Sequence, residues 1–104
     1  MNISFIGAGN MATALVGGLL AKGLTPKSIA LADRDTRQLQ SFVEQGMFTS
    51  TNNHEVVECA DILILAVKPQ VMSEVLKPLA HIVQQKKPLI ISIAAGISVD
   101  SISH

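Results

Sequence analysis

The feature that most constrains this chain is a glycine-containing turn close to its start. Residues 3–12, ISFIGAGNMA, run from β-branched and aromatic residues through the turn into a helical pattern. Gly7 permits a sharp exit from a strand, Gly9 leaves room for a diphosphate beside the backbone, and Ala12 lets the helix pack closely on a sheet. The N–H groups and positive dipole end of that helix would face the phosphates. The pattern favours a dinucleotide-binding turn over its alternative, a purely structural strand–helix turn.

Composition limits the chain to one small domain with one core. Of its 104 residues, 48% are hydrophobic and 15% are charged, and the formal net charge is zero. A chain this apolar is not a disordered tail, and its length suits one domain. With three Phe and no Trp or Tyr, it lacks the basic surface and the stacking aromatics that nucleic-acid binding requires. We therefore expect no nucleic-acid partner.

The same counts bear on location. The single cysteine, Cys59, has no partner in the chain and suits a reducing compartment. No Lys or Arg precedes Lys22, so the basic lead of a signal peptide is missing. No apolar run approaches the roughly 20 residues of a membrane span. We expect a cytoplasmic protein that does not contact a membrane.

Apolar periodicity and turn residues predict five strands alternating with four helices. The predicted strands are 3–6, 28–32, 47–49, 61–67 and 89–93. The fourth is expected to be buried on both faces, and the fifth is also expected to be a buried strand. The helices are expected from the glycine turn to Lys22, over 36–45, from Asn52 or Asn53 to Glu58, and over 69–85 with a kink or a break at Pro78. Right-handed crossovers then predict an α/β fold, a doubly wound parallel sheet of the Rossmann type with strand order 3-2-1-4-5.

Some helix faces are also predicted. Val43 is expected on the apolar side of the second helix with Leu39 and Phe42. The stripe of the last helix is predicted to comprise Val71, Val75, Leu79 and Val83. In the first helix, Gly17 and Gly18 predict close packing on the sheet or against a ligand, because glycine costs about 1 kcal/mol relative to alanine there.

Three turns are expected to meet where the strand order reverses, at the carboxyl ends of the strands. They are Gly7 to Asn10, Val67 to Pro69, and Ala94 to Gly96; Ser98 would cap a following helix. Ala8, Asn10 and Met11 would line the diphosphate site, and Lys68 would place its ammonium at the crevice mouth or lie solvated on the surface.

The adenosine end of a dinucleotide is expected after the second strand. Asp33 follows Ala12 by 21 positions, where a carboxylate accepts hydrogen bonds from ribose hydroxyls and favours NAD. Arg34 and Arg37 would instead clamp a 2′-phosphate and favour NADP. Two guanidinium groups outweigh one flexible carboxylate, so we favour NADP with NAD as the alternative. A solvated charge cluster, with Asp35 at the helix start, is the structural alternative.

No metal site or catalytic residue is predicted. His54, His81, His104 and Cys59 share no ligand spacing and are interpreted as structural or solvated. No nucleophile elbow and no paired catalytic carboxylates are found. A bound cofactor would carry the redox chemistry, and this chain would hold it.

Three segments together resemble the pyrroline-5-carboxylate reductase family: FIGAGNMA at 5–12, AVKP at 66–69 and SIAAGIS at 92–98. Their order and spacing are similar to its N-terminal nucleotide-binding domain across essentially the whole chain. The glycine turn alone would also fit F420-dependent NADP oxidoreductases and β-hydroxyacid dehydrogenases. The resemblance implies hydride transfer from NAD(P)H to the C=N carbon of 1-pyrroline-5-carboxylate, which gives proline and completes its biosynthesis.

The resemblance also implies residue roles. Gly7, Gly9, Asn10 and Met11 would hold the diphosphate, and Arg34 and Asn53 would face the adenosine. The ribose and nicotinamide would be flanked by Ala66, Val67, Lys68 and Pro69, with Ala95 and Gly96 nearby. Asp33 departs from the family pattern, because NADP-preferring members often have an uncharged residue there.

Family members continue into a helical domain that dimerises and builds the substrate pocket. The resemblance therefore implies that residues 1–104 are the dinucleotide-binding domain of a longer homo-oligomer built from dimers. The chain alone is expected to bind cofactor without turnover. The alternatives are a related F420-type or hydroxyacid dehydrogenase domain, or a stand-alone nucleotide-binding module without catalysis.

Overall fold

A computed structural model describes residues 1–93 of the chain, in which five strands alternate with helical segments. The strands are β1 Ile3–Ile6, β2 Ile29–Ala32, β3 Phe48–Ser50, β4 Ile62–Leu65 and β5 Leu89–Ser92. The α-helices are α1 Asn10–Ala21, α2 Thr36–Glu44, α3 Asn53–Glu58, α4 Met72–Leu76 and α5 Ala80–Lys86. Short 3-10 turns cover Pro26–Ser28, Pro69–Val71 and Lys77–Leu79. The elements expected beyond Ile93, including the turn at Ala94 to Gly96 and the cap at Ser98, lie outside the described residues.

The strands form one parallel sheet in the order β3-β2-β1-β4-β5, which confirms the predicted topology. β1 is central, and Phe5 pairs in register with Leu31 of β2 and Ile64 of β4. These three side chains contribute to one buried cluster with α1 and α2, whereas Ile6 and Leu65 contribute to a second cluster with α3 and α5. The sheet is therefore covered on both faces around β1, which fixes the carboxyl ends of β1, β2 and β4 side by side.

The predicted break at Pro78 is confirmed. α4 ends at Leu76, a 3-10 turn carries Pro78, and α5 begins at Ala80. Proline has no N–H to donate and its ring clashes with the preceding turn of an α-helix, so the helix is interrupted there. Leu79 is still buried in the second cluster, so the break redirects the helix without removing it from the core.

Two burial predictions are wrong. β5 was expected to be a buried strand, but its side chains are exposed, with Leu89 62% accessible. It is the edge strand beside β4, and among residues 1–93 its extensive contacts are with that strand. Val43 was expected on the apolar side of α2 and is 52% exposed. It is the penultimate residue of α2, which ends at Glu44.

The expectation that Gly17 and Gly18 pack closely on the sheet is also wrong, whereas packing against a ligand stays a prediction. A Cβ added at either residue would meet no atom of the described chain within 4 Å, so no close packing requires glycine there. Because glycine in an exposed helix interior costs about 1 kcal/mol relative to alanine, Gly17→Ala should raise the free energy of unfolding by about that amount. Chemical denaturation of the variant and the wild type measures this difference. A lower stability of Gly17→Ala would show that the helix packs against something at this position.

Candidate nucleotide-binding site

The glycine turn leaves β1 in a conformation that excludes a side chain at Gly7. Its φ is +101°, and a Cβ added there would lie 2.3 Å from the backbone oxygen of Ala66. The Gly7 N–H donates to the Ala32 carbonyl at 2.8 Å, and the Ala66 N–H donates to the Ile6 carbonyl at 2.8 Å. The turn is thus held between the ends of β2 and β4, and the predicted sharp exit at Gly7 is confirmed.

Gly9 lies on the open side of the turn, directly before α1. Its φ is −82°, an ordinary value for any residue, and a Cβ added there would meet nothing within 4 Å. No side chain caps α1, and within residues 1–93 the N–H groups of Asn10 and Met11 donate to no backbone acceptor. Asn10 is exposed and Met11 half-buried. The helix therefore presents free N–H donors beside open space, which is the arrangement that binds phosphate.

Asp33 fastens the turn to the end of β2. Its Oδ2 accepts a hydrogen bond from the Ala8 N–H at 2.9 Å, and its Oδ1 accepts one from the Asp35 N–H at 2.9 Å. The bond to Asp35 is the local turn that aspartate commonly makes with the residue two positions on. The bond to Ala8 joins residues 25 positions apart, and the sequence interpretation of Asp33 as a ribose ligand missed it. Asp33 therefore helps to set the conformation of the turn.

The two arginines near Asp33 are placed differently. Arg34 lines a cavity at the strand ends, whereas Arg37 does not. The Arg37 guanidinium donates to both carboxylate oxygens of Asp35 at 3.2 Å, and its side chain is 90% exposed. Asp35 is the N-cap of α2 and also accepts the Arg37 N–H at 3.0 Å. The side-chain hydrogen bonds between them lower the pKa of Asp35 and raise the pKa of Arg37.

The cavity lies between the strand ends and the helical segment after β4, and its volume is about 230 Å³. It is lined by Ile6, Gly7, Ala32, Asp33, Arg34, Asn53, Val67, Val71, Glu74 and Val75. Its walls are thus largely aliphatic, with a few polar and charged groups. Because ligand pockets usually hold at least about 300 Å³, it would accept part of a dinucleotide, with the rest lying over the glycine turn.

The cavity contains some residues that the sequence interpretation had assigned elsewhere. Val71 and Val75 were expected in the core stripe of the helix after the fourth strand. Val75 does pack against the second buried cluster and also lines this cavity, whereas Val71 lines the cavity and is 37% exposed. Glu74 received no role. Their spacing places them on one side of the first helical turns after β4, which is the signal that would have identified them.

The other residues that the sequence analysis assigned to the site lie around the same carboxyl end of the sheet. Ala8 and Ala66 are buried beside the turn, and Lys68 and Pro69 are exposed after β4 without lining the cavity. Asn53 begins α3, whose N-cap is Asn52. The expected positions of Ala95 and Gly96 lie outside the described residues. The structure therefore brings Gly7, Asp33, Arg34, Asn53 and Val67 together at one cavity.

His54, His81 and Cys59 do not line this cavity. His54 pairs with Glu58 at 3.5 Å on α3, and His81 and Cys59 are exposed. Among residues 1–93, no three His, Cys, Asp or Glu side chains come close enough to hold a metal ion. His104 lies outside this range. None of the helices in the same range is long and apolar enough to cross a membrane.

Comparison with known proteins gives a consistent family. The sequence model of the family described as NADP oxidoreductase, coenzyme F420-dependent, matches residues 2–96. A pyrroline-5-carboxylate reductase of Vibrio alginolyticus is 45% identical over 97 residues, which cover 92% of this chain and 35% of the relative. The solved pyrroline-5-carboxylate reductase of Coxiella burnetii superposes with a TM-score of 0.84 at 38% identity, over 98% of this chain and 38% of that one.

A more distant structure shares the fold. The pyrroline carboxylate reductase of Plasmodium falciparum, solved with NADP bound, has a TM-score of 0.71 at 21% identity and covers 99% of this chain. The chain spans little more than a third of the length of the relatives it matches, for example 35% of the Vibrio alginolyticus protein and 37% of the Plasmodium falciparum protein.

Proposed function

The chain belongs to the NADP oxidoreductase, coenzyme F420-dependent, family, and we propose that it is the dinucleotide-binding domain of an enzyme that reduces 1-pyrroline-5-carboxylate to proline. The 45% identity to the Vibrio alginolyticus reductase supports this substrate over others in the family. The proposed cofactor is NADP, with NAD as the alternative. The NADP bound to the Plasmodium falciparum protein supports that choice.

One observation carries the cofactor part of the proposal. The free N–H groups of Asn10 and Met11 at the start of α1 lie beside the open space at Gly9. Backbone donors at a helix N-terminus bind phosphate, and the absence of a Cβ lets the diphosphate approach them. The residues present therefore fit a dinucleotide.

The other residues would act around this anchor. Asp33 holds the turn in shape through Ala8, and the Arg34 guanidinium in the neighbouring cavity would bind the 2′-phosphate. Asn53 would contact the adenosine ribose. Ala66, Val67, Lys68 and Pro69, with Ala95 and Gly96, would border the nicotinamide. The bound cofactor supplies the hydride, while this chain orients its ring against the substrate.

We further propose that the substrate pocket, the catalytic groups and the dimer contacts belong to a helical domain outside this chain. The whole enzyme would then be a cytoplasmic homo-oligomer built from dimers. Because the chain spans only 35% of the Vibrio alginolyticus relative, it would bind NADPH and turn over no imine by itself.

Arg34 and Arg37 offer a matched pair of variants for the cofactor assignment. Arg34→Ala should weaken NADPH binding about tenfold or more and leave NADH binding within about twofold, because a charge-assisted contact to phosphate contributes about 1.5–3 kcal/mol. Arg37→Ala should change neither affinity much, since its guanidinium pairs with Asp35. Fluorescence titrations of both dinucleotides measure this. Equal losses for NADH and NADPH in Arg34→Ala would contradict the assigned role.

The substrate assignment requires the whole protein that contains this domain. Its turnover should be far greater with 1-pyrroline-5-carboxylate and NADPH than with 2-hydroxy acids and NADP. The reverse preference would identify a hydroxyacid dehydrogenase. Reduction of coenzyme F420 by NADPH without imine reduction would instead identify the F420-type activity that names the family.

A further inference from the structure

The cavity at the strand ends contains two opposite charges that no sequence pattern pointed out together. Arg34 follows β2 and Glu74 lies on α4, and both line the same cavity of about 230 Å³. Among the described residues, neither side chain takes part in an ion pair within 4 Å. Each charge is therefore available to a ligand that enters between them.

Glu74 differs from the other carboxylate of the cavity. Asp33 accepts two backbone hydrogen bonds, which partly offset its charge and hold it against the glycine turn. Glu74 is exposed and, within residues 1–93, makes no side-chain hydrogen bond that would serve the fold. The negative charge of Glu74 is therefore compensated less than that of Asp33. Removing it should change the free energy of unfolding little.

The shared cavity makes the charge of Glu74 relevant to a ligand at Arg34. A ligand inside the cavity lies beside the walls that carry both charges, and salt screens charges strongly only beyond about one Debye length, roughly 8 Å at physiological ionic strength. Charges on its walls therefore act on a ligand within it with limited screening. A phosphate at Arg34 would carry nearly two negative charges near neutral pH, whereas a free ribose hydroxyl at the same place carries none.

From this juxtaposition we infer that Glu74 is a specificity-determining residue that weakens binding of a 2′-phosphorylated dinucleotide relative to the unphosphorylated one. The inference rests on the proposed function, because it requires the adenosine end of the cofactor to occupy this cavity. Arg34 attracts the 2′-phosphate and Glu74 repels it, so the two residues together set the ratio of NADPH to NADH affinity. The affinities of the wild-type chain for NADPH and NADH should accordingly differ only modestly.

The test is a titration of NADH, NADPH and adenosine 2′-monophosphate against the wild type and Glu74→Gln. The variant keeps the size of the side chain and removes its charge. NADPH and the monophosphate should bind about three- to tenfold more tightly, as expected for one unit charge at this range in a partly aqueous site. NADH affinity should change by less than about twofold, and the NADPH gain should shrink as salt is raised.

Glu44→Gln is the matched control, since Glu44 ends α2 and does not line the cavity. It should leave all three affinities unchanged. If Glu74→Gln changes the NADH and NADPH affinities by the same factor, or changes neither affinity, the proposed role of Glu74 is wrong. The proposed nucleotide site is not contradicted by either result. If the wild type binds neither dinucleotide, the proposed function fails first, and the titration distinguishes the two failures.

Discussion

Gly7→Ala is expected to destabilise the chain by about 3 kcal/mol or more and to abolish dinucleotide binding. Two costs add at this position. Alanine is strained at a φ of +101°, and its Cβ would lie 2.3 Å from the Ala66 backbone oxygen. That oxygen cannot move aside freely, because Ala66 is fixed to β1 through its own N–H. Thermal and chemical unfolding measure the first effect and NADPH titration the second.

Gly9→Ala is the matched control for this prediction. Its φ is −82° and its added Cβ would meet nothing within 4 Å, so the fold should lose only about 1 kcal/mol or less, the cost of a poorer helix N-cap. The same Cβ would occupy the space proposed for the diphosphate, so NADH and NADPH should both bind at least about tenfold more weakly. Full affinity in Gly9→Ala would place the diphosphate elsewhere, and a stable Gly7→Ala would contradict the conformation of the turn.

Asp33→Ala is expected to lower the free energy of unfolding by about 2–4 kcal/mol, because two backbone N–H groups lose a charged acceptor. These are the N–H groups of Ala8 and Asp35, each 2.9 Å from the carboxylate. The freed turn should bind NADH and NADPH more weakly by similar factors. Asp33→Asn has one remaining acceptor oxygen and should fall between the wild type and Asp33→Ala in both measurements.

The alternative role of Asp33 as a ribose ligand gives a different result. In that case Asp33→Ala would weaken NADH binding, improve NADPH binding by removing a negative charge, and leave stability nearly unchanged. Denaturation curves together with the ratio of the two affinities separate the roles. A stable variant with a changed ratio would contradict the role of Asp33 in holding the turn.

The strands, the helices and their arrangement could be predicted from the sequence because each element is identified by residues that are neighbours in the chain. The alternation of apolar runs and helical periods identifies the strands and helices, and right-handed crossovers then allow few arrangements. The sheet order, the break at Pro78 and the glycine turn at Gly7 all follow from such signals.

The features that sequence reasoning missed depend on contacts between distant residues. An apolar run predicts burial of β5, but exposure depends on which helix covers the sheet edge. The bond from Ala8 to Asp33 and the sharing of one cavity by Arg34 and Glu74 join elements that only the folded chain brings together. The pairing of Arg37 with Asp35 is local, and it agrees with the charge cluster at the start of α2 that the sequence analysis gave as the structural alternative.

The central claim is that the backbone amides at residues 9–11 bind the diphosphate of the cofactor. The most direct measurement is an NMR titration of the isotope-labelled chain with NADPH, following every backbone amide. We expect saturable shifts that are largest at Gly9, Asn10 and Met11, with smaller ones at Arg34. Saturation with the largest shifts on a different surface, or no shifts at these amides at millimolar NADPH, would contradict it.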